Sequence, residues 1–586
     1  MKKTILFSAF LLVVCICFSF SKPISISTAN QVAENFFRAG KVETLSQKDI
    51  KLLYVAKDDI SGIDGAAAEP YFYVYSGDGK SFVIVAGDDA VRPILGFSFD
   101  SDFRASEIPE NVQFWLNTYK KQIEYARQNA PQSIAFRKEW EKLLSSGAVD
   151  ILNTPDAVSP LTRTKWNQAP FYNAFCPYDD SRQSRTVAGC VAIAMAQVMR
   201  YWAYPSVGVG SHSYNHYKLG TISASFSDEP INWKSFPNQV FTTNEELAYA
   251  IFLIGVSVEM RYGVDASGAF VISKRSPKQH CSEYALKTYW KYDAQTLVGL
   301  PKSDTTDAAW LNIIKNELKL GRPIIYTGAG PEGGHAWVCD GYREDDYFSM
   351  NWGWGGAYNG YYALNALSPG TGGIGSGSGT FNDNQEILYG IQPIIKSQSI
   401  MTISGNGNFK DTPLGTTSQT TLFINNLGEK AFNVTAADVP QGFSLATPLP
   451  IRVDPGKSAE IVVAFSPKYA TTYSGNLFLT TDAELGTNQF QIKGKGTANQ
   501  TSILENSDNF EFELFPNPAV DFVAINTSKE IEKIEVTDVL GNKFMEFEGL
   551  NLAKNINLSQ LTSGSYYIGA RFIDGKVGRK LLLITR

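Results

Sequence analysis

Positive charge is not in excess in this chain of 586 residues, which has 52 lysines and arginines, 58 aspartates and glutamates, and a formal net charge of −6. The sequence has no basic stripe interleaved with aromatic residues, so a nucleic acid is not an expected partner. Past Ser21, no apolar run is long enough to span a bilayer, so no transmembrane segment is expected. Histidine is also scarce: with four in the chain, few positions can supply the base of a catalytic pair.

Residues 1–21 have the pattern of a secretory signal peptide. Lys2 and Lys3 precede the apolar run Ile5–Phe20, and a small-x-small cleavage site ends at Ser21. We therefore expect an exported protein, secreted or at the cell surface. Past this segment the cysteines are Cys176, Cys190, Cys281 and Cys339. Export permits disulfides, and the sequence leaves open whether a pair forms, although free buried cysteines are favoured.

A cysteine lies where a small-residue turn meets an apolar helical pattern. Ala188-Gly189-Cys190 is followed by a run rich in alanine and methionine, with no proline or glycine before Pro205. This pattern predicts that Cys190 starts a helix, where unpaired N–H groups and the helix dipole favour a thiolate and an oxyanion. The alternative is an inert cysteine in a buried helix, because free cysteine is often buried.

A second pattern supplies a partner for the cysteine. His335 follows two glycines and begins an apolar alternation that ends at Asp340-Gly341, which predicts a strand. Further along, Asn351-Trp352 is followed by Gly-Trp-Gly-Gly and could supply a polar group that orients the imidazole and an indole that covers it. Cysteine, histidine and asparagine in this order match the chain order of papain-type thiol proteases.

On these three motifs, residues 160–395 closely resemble the streptopain family of secreted bacterial cysteine peptidases. The resemblance implies a papain-like fold with Cys190 as nucleophile and His335 as general base and acid. It also implies that Asn351 and Trp352 share the role that asparagine has in papain relatives. No cofactor or metal is expected.

Other polar residues are weaker candidates. Papain relatives use a glutamine upstream of the cysteine as an oxyanion donor, and the spacing does not decide between Gln168 and Gln183. Asp340 could orient the imidazole, but an aspartate at this point more often ends a strand. His212 and His216 are four residues apart, and their glycine- and serine-rich surroundings favour a loop over a zinc-binding helix.

The expected fold class is a multidomain chain with an α+β papain-like catalytic domain, an α+β propeptide before it, and two all-β sandwich-type domains after it. Residues 505–586 resemble the C-terminal sorting domains of Bacteroidetes proteins that use the type-nine secretion route. The predicted parts are a signal peptide (1–21), an inhibitory propeptide (22–150), a linker (151–165), the peptidase domain (166–396), an immunoglobulin-like sandwich (398–498) and the sorting domain (505–586).

The linker 151–165 is the predicted site of activation. It contains Pro155, Pro160 and three threonines and shows no clean amphipathic period, which is typical of a cleavable connection. We expect Arg163 and Lys165 to be exposed to a trypsin-like or self-processing cut. The glycine-rich segment 369–380 is expected to be a flexible wall of the substrate cleft.

The expected function is that of a secreted cysteine endopeptidase, made as a zymogen, that hydrolyses peptide bonds in proteins. The resemblance implies a preference for a hydrophobic residue two positions before the scissile bond. The expected partners are protein or peptide substrates, the chain's own propeptide as inhibitor, and the secretion machinery. Two alternatives stay open: an inactive surface adhesin on a protease-like scaffold, and a Cys-His amidase or transglutaminase.

Overall fold

The computed structural model separates the chain into two compact units, Met1–Asn499 and Gln500–Arg586. Most of the predicted signal peptide, residues 146–156 of the connection to the predicted peptidase domain (called the peptidase region below), and the glycine-rich segment 369–380 lie outside the described residues. The described residues are 21–40, 50–58, 69–129, 134–145, 157–273, 279–330, 333–343, 346–364, 385–394, 397–498, 512–527, 530–538, 541–548, 555–573 and 577–585.

The N-terminal region is an antiparallel sheet covered by helices. The first helix starts where the Ser25 side chain accepts a hydrogen bond from the Thr28 N–H, and it buries Val32, Phe36 and Phe37 against the sheet. The elements of the N-terminal region are α1 (Ile26–Ala39), β1 (Lys51–Ala56), β2 (Phe72–Ser76), β3 (Phe82–Ala86), β4 (Ile94–Ser98), α2 (Glu110–Asn129) and α3 (Ile134–Leu144).

The peptidase region has a helical side and a strand side. Its helices are α4 (Cys190–Trp202), α5 (Glu245–Ser257), α6 (Ser282–Thr288) and α7 (Asp307–Lys319). Its strands are β5 (Tyr178–Asp179), β6 (Ser184–Arg185), β7 (Ser211–His216), β8 (Gly220–Ser225), β9 (Val298–Pro301), β10 (Ile324–Gly330), β11 (Gly333–Tyr342), β12 (Tyr347–Asn351), β13 (Gly360–Ala363) and β14 (Gln385–Tyr389).

One sheet runs through both regions. Its ten strands have the order β1-β2-β3-β4-β13-β12-β11-β10-β14-β9, so β4 joins the N-terminal strands to the peptidase strands. At this junction Tyr361 pairs with Phe97 and Tyr362 with Gly96. A Cβ at Gly96 would lie 2.8 Å from the Tyr362 ring, so a side chain there would push the two strands apart.

Strand β11 separates two hydrophobic cores because its side chains alternate between the faces of the sheet. Ala336 and Val338 belong to the core that contains helix α4. Trp337 and Cys339 belong to the core on the other face, which includes the buried residues of the N-terminal helices. Helix α4 is buried nearly all round, as expected for a central helix whose sequence is apolar on every face.

A β-sandwich follows within the same unit. Its sheets have the orders β19-β21-β17-β15-β23 and β16-β24-β22-β18-β20. The strands are β15 (Ile400–Gly405), β16 (Thr412–Pro413), β17 (Ser418–Asn426), β18 (Phe432–Asp438), β19 (Phe443–Leu445), β20 (Ile451–Val453), β21 (Ser458–Phe465), β22 (Thr472–Thr481), β23 (Leu485–Gly486) and β24 (Gln489–Thr497).

The second unit is also built from strands, with sheets β25-β26-β29 and β28-β27-β30-β31. The chain thus has a mixed α+β region followed by regions that are mostly β. The strands of the second unit are β25 (Phe512–Phe515), β26 (Phe522–Thr527), β27 (Ile531–Asp538), β28 (Lys543–Glu548), β29 (Asn555–Asn557), β30 (Gly564–Phe572) and β31 (Val577–Ile584).

The cysteines past the signal peptide all lie in the described part of the chain, are buried and form no disulfide: Cys176, Cys190, Cys281 and Cys339. The core therefore holds together through packing and hydrogen bonds, without a disulfide among these residues. No helix in the described part of the chain has both the length and the apolar character needed to cross a membrane.

Candidate active site

Cys190 is the first residue of helix α4, as the sequence predicts. Gly189 precedes it with a φ of 91°, a backbone conformation that residues with a side chain rarely adopt. A Cβ at this position would also lie 2.7 Å from the Met260 sulfur. The glycine therefore lets the chain turn sharply into the helix. The backbone N–H groups of Cys190, Val191 and Ala336 favour the Cys190 thiolate, and the Ala336 nitrogen lies 3.4 Å from the sulfur.

His335 lies near the start of β11, opposite Gly328 of β10. Because it directly precedes Ala336, the imidazole side chain is attached next to the N–H group that contacts the Cys190 sulfur. Its ring Nε2 lies 3.4 Å from the Glu110 carboxylate, at the start of helix α2. Among the residues that the structure describes, no hydrogen bond joins the Cys190 sulfur to His335.

Burial and the charge of Glu110 shift the pKa values of Cys190 and His335. Burial raises the pKa of the Cys190 thiol, and the nearby Glu110 carboxylate raises it further. Burial also lowers the pKa of His335, and the charge of Glu110 opposes that shift. Both burial effects disfavour a thiolate–imidazolium pair between Cys190 and His335.

Helix α2 holds the tryptophan motif through the side chain of Asn111. Its Nδ2 donates to the Trp352 carbonyl at 3.1 Å, and its Oδ1 accepts from the Trp354 indole at 2.8 Å. One turn further along, Trp115 packs edge-on against Trp337 and Trp352, with ring centroids 5.8 and 6.2 Å apart. The N-terminal region therefore covers the strands that carry the predicted site residues.

Sequence patterns did not identify these covering residues. The apolar period of residues 109–144 predicts helices, and it gives no sign that Glu110, Asn111 and Trp115 reach His335 and the tryptophan motif. A carboxylate followed by an amide at a helix start is common on protein surfaces. Only the packing of α2 against the peptidase strands reveals their position.

Asn351 and Trp352 end up in different surroundings. The Asn351 amide donates to the Thr164 carbonyl at 2.7 Å and lies 3.3 Å from the Thr162 hydroxyl. Trp352 is buried, and its ring lies 4.9 Å from that of Trp337. In this arrangement the Asn351 amide is bonded to residues 162–164, while Trp352 belongs to the aromatic cluster under helix α2.

Asp340 has a structural setting. Its carboxylate accepts hydrogen bonds from the Thr162 N–H at 2.9 Å and from the Ser349 hydroxyl at 2.8 Å. Burial raises the pKa of Asp340 to about 6, against the effect of these donors. The carboxylate thus fixes Thr162 to β11. The strand continues to Tyr342, so the expectation that Asp340 ends it is wrong.

The two glutamines that are candidate oxyanion donors lie in different surroundings. Gln168 is buried, and its carbonyl accepts a hydrogen bond from the Ala188 N–H at 3.2 Å, two residues before Cys190. Gln183 lies in the turn between β5 and β6, is exposed, and donates to the Asp180 carbonyl at 2.6 Å. The structure therefore brings Gln168, and not Gln183, to the turn that leads into Cys190.

The segment before the peptidase region differs from the expectation that its basic residues are exposed. Val158 pairs with Tyr342, and the Leu161 N–H donates to the Asp340 carbonyl at 2.9 Å. The Arg163 guanidinium is partly buried and donates to the Asn476 side chain at 2.6 Å. Lys165 is also only partly exposed, because these backbone bonds hold the segment against the strands.

Comparison with known proteins finds three families whose models match segments of the chain. Residues 166–362 match the Peptidase C10 family, and residues 21–123 match the Spi protease inhibitor family. Residues 513–584 match the secretion system C-terminal sorting domain. The last match shows that the chain is exported, to the cell surface or the medium.

Streptopain from Streptococcus pyogenes is 31% identical over 382 residues, which cover 60% of this chain and 87% of streptopain. The chain belongs to the streptopain family of cysteine peptidases. Thiol protease/hemagglutinin PrtT from Porphyromonas gingivalis is 32% identical over 403 residues, or 67% of this chain, and the chain spans 44% of PrtT. Among solved structures, prointerpain A from Prevotella intermedia has 27% identity and a TM-score of 0.44, covering 58% of this chain and 99% of that fragment.

In this member of the streptopain family, the Glu110 carboxylate is expected to suppress the reactivity of Cys190. Glu110→Gln removes a charge that raises the pKa of the thiol, so thiolate should form at lower pH. Because the carboxylate is exposed, the expected gain is about two- to fivefold in the rate of Cys190 alkylation at pH 7 in the unprocessed chain. Glu107→Gln, on the exposed stretch before α2, is the control; an equal gain in both variants would contradict a specific effect of Glu110.

Proposed function

We propose that this chain is the zymogen of a secreted cysteine endopeptidase, with Cys190 as nucleophile and His335 as general base and acid. The observation that supports this best is the contact between the Cys190 sulfur and the Ala336 N–H, which brings the start of α4 beside His335 across 146 residues of sequence. A helix start supplies N–H donors to a thiolate, and the adjacent histidine supplies the proton transfers.

In the proposed reaction the Cys190 thiolate attacks the carbonyl carbon of the scissile bond. The Cys190 N–H, at the start of α4, and the Gln168 side chain are the proposed donors to the oxyanion. His335 then gives its proton to the leaving amine, and the acyl group stays on the sulfur. A water molecule activated by His335 hydrolyses this thioester and restores the thiol.

Asn351 and Trp352 are proposed to position His335 once the propeptide has left. Trp352 would shield the imidazole with its indole, and Asn351 would act by holding residues 162–164 under the motif. A hydrophobic residue two positions before the scissile bond is the proposed preference. The resemblance to the streptopain family supports this preference.

Latency is proposed to come from residues 22–150, with α2 as the element that contacts the site. The activating cut is proposed within 146–156, upstream of the hydrogen-bonded segment that begins at Val158. A cut there would separate the N-terminal region without breaking the bonds of Arg163 and Asp340. The proposed peptidase domain is 166–396, with the sandwich at 398–498 and the sorting domain at 505–586.

Thiol labelling tests this function. A chain with an engineered protease site within 146–156 is treated with an epoxide thiol alkylator before and after cleavage, and the adducts are located by mass spectrometry. We expect a single adduct on Cys190 in the cleaved chain, together with loss of casein hydrolysis. Casein hydrolysis that survives full alkylation of Cys190 would refute the assignment.

The sandwich and the sorting domain should respond differently to truncation. The Thr402 hydroxyl donates to the Leu320 carbonyl at 2.7 Å, and the Asn425 amide donates to the Lys319 carbonyl at 3.2 Å. The sandwich therefore supplies hydrogen-bond donors to carbonyl groups at the C-terminal end of α7, which have no partner within the helix. Truncation after Ala498 should leave peptide hydrolysis within about twofold of the full chain, because the residues removed form a separate unit.

Truncation after Pro393 should lower stability instead. The shortened chain lacks the donors to the α7 carbonyls and also Ile400, which is buried in the core that contains α4, so the unfolding temperature should fall. Thermal unfolding and peptide hydrolysis are compared for the two truncated chains after propeptide removal. Equal unfolding temperatures would show that the sandwich does not stabilise α7. In the native host, normal delivery of the chain truncated after Ala498 would contradict a sorting role for its last residues.

A further inference from the structure

Three side chains from separate segments meet on the helical side of the peptidase region, away from the Cys190–His335 pair. His212 lies on β7, Glu259 follows α5, and His280 precedes α6. His212 Nε2 lies 3.1 Å and His280 Nδ1 lies 3.3 Å from the same Glu259 carboxylate oxygen. The three possible ligand atoms all lie within 4.8 Å of one another.

The backbone at Glu259 is unusual for a glutamate. The Glu259 N–H donates to the Val256 carbonyl and the Met260 N–H to the Gly255 carbonyl, which together form a Schellman motif at the end of α5. Glu259 takes the left-handed position of this motif with φ 52°, where glycine is the common residue. A residue other than glycine there costs about 1–2 kcal/mol, so the carboxylate is retained at a cost to the fold.

The two imidazoles are held in place by their neighbours. Their rings stack with centroids 4.0 Å apart, and the Tyr289 hydroxyl lies 3.1 Å from His280 Nε2, the nitrogen remote from Glu259. A partner on the remote nitrogen fixes the ring and its tautomer, as in metal sites where the histidine ligand donates its other N–H. Within the described ranges, no lysine or arginine forms an ion pair with Glu259.

We propose that His212, Glu259 and His280 bind a zinc ion, with a fourth position open to water. Two imidazole nitrogens and one carboxylate oxygen form a donor set that zinc accepts in proteins. With metal–ligand distances of about 2.0–2.1 Å, tetrahedral geometry separates neighbouring ligand atoms by about 3.3 Å. The observed separations of 3.1 and 3.3 Å between the carboxylate oxygen and the two imidazole nitrogens are close to this value, and zinc binding would move the two stacked rings further apart than 4.0 Å. A metal-free hydrogen-bonded triad has similar distances and is the outcome that the test separates.

A zinc ion at this site would stabilise the backbone around Met260, which lies beside the turn that leads into Cys190. Met260 follows Glu259 directly, and its sulfur packs against Gly189, the residue before Cys190. The Tyr214 hydroxyl donates to the Met260 carbonyl at 2.7 Å, and this bond connects Met260 to β7, the strand that carries His212. Zinc would thus link the end of α5 to β7 and stabilise the turn into α4. This inference does not depend on the peptidase activity.

Zinc titration calorimetry on the full chain carrying Cys190→Ala tests the proposal, because this background removes the catalytic thiol as a competing ligand. Zinc chloride is the probe, and one ion per chain is expected. Glu259→Gln and His280→Asn should each weaken binding by more than about 100-fold, since loss of even an outer partner costs about 10–100-fold. His216→Asn is the matched control: His216 lies on the same strand, and its Nδ1 accepts backbone N–H groups that asparagine can also satisfy.

A second variant keeps the test decisive if the substitutions disturb folding. Glu259→Gly suits the left-handed backbone, so the chain should fold with an unfolding temperature no lower than that of its parent. Zinc should raise the unfolding temperature of the parent and of the His216→Asn control, and it should not change that of Glu259→Gly. Zinc affinity of Glu259→Gly within threefold of the parent, or a parent that binds no zinc at millimolar concentration, would overturn the proposal.

Discussion

Replacing His335 with alanine is expected to lower kcat/KM for peptide hydrolysis by about 10²–10⁴-fold, the usual contribution of a general acid–base catalyst. In the proposed reaction, the substitution removes the proton acceptor of the Cys190 thiol and the acid that protonates the leaving amine. The measurement uses chains cleaved at an engineered site within 146–156, so that failed self-maturation does not hide the effect on turnover.

Gln183→Ala is the control for this comparison, because Gln183 lies in an exposed turn. Its activity should stay within about twofold of the unsubstituted enzyme. Activity of His335→Ala within tenfold of that enzyme would require another base. The remaining histidines are poor substitutes, since His212 and His280 contact Glu259, and His216 accepts backbone N–H groups.

Trp115→Ala is expected to release the block on the active site. The indole packs against Trp337 and Trp352, so alanine leaves a cavity in the contact between α2 and the peptidase strands. Truncation of a buried tryptophan costs about 3–5 kcal/mol, which corresponds to a factor of about 150 to 4,000 in an equilibrium. The alkylation rate of Cys190 in the unprocessed chain should rise by up to this factor.

The matched control is Asn117→Ala, an exposed position on the same helix. It should leave the alkylation rate unchanged, because no contact with the peptidase strands is lost. Circular dichroism of both variants reports whether the helices persist. If Trp115→Ala folds and Cys190 stays as unreactive as in the parent chain, helix α2 does not control access to the thiol.

Much of the local structure follows from the sequence pattern. The apolar period of residues 29–39 predicts a helix, and α1 spans Ile26–Ala39. The apolar period of residues 109–144 is interrupted near Pro131, which predicts two helices, and the structure has α2 and α3 there. The start of α4 at Cys190 also follows from local rules, because a glycine turn before an alanine-rich apolar run leaves little choice of conformation.

The partners of the site residues do not follow from the pattern. The order of the motifs predicts that Cys190 and His335 come together, but the bond from Asn351 to the Thr164 carbonyl depends on where a distant segment packs. The same holds for Arg163, which a linker composition predicts to be exposed and which donates to Asn476 of the sandwich. Periodicity describes which face of an element is apolar, and it carries no information on which distant element covers that face.

The cluster of His212, Glu259 and His280 shows this limit most clearly. Spacing along the chain pairs His212 with His216, and the surrounding residues offer neither a helix nor a third ligand. The structure instead pairs His212 with two residues that lie far along the chain. A turn at the end of α5 and the start of α6 determine this meeting, and neither has a local sequence signal for metal binding.

The most direct test of the central claim compares casein hydrolysis by the mature wild-type chain and the mature Cys190→Ala chain, both produced by cleavage at the engineered site. The substitution removes one sulfur atom at a helix start, so folding should be nearly unchanged and circular dichroism should confirm it. The account predicts hydrolysis by the wild type and none above background by Cys190→Ala. Equal hydrolysis by the two chains would contradict it.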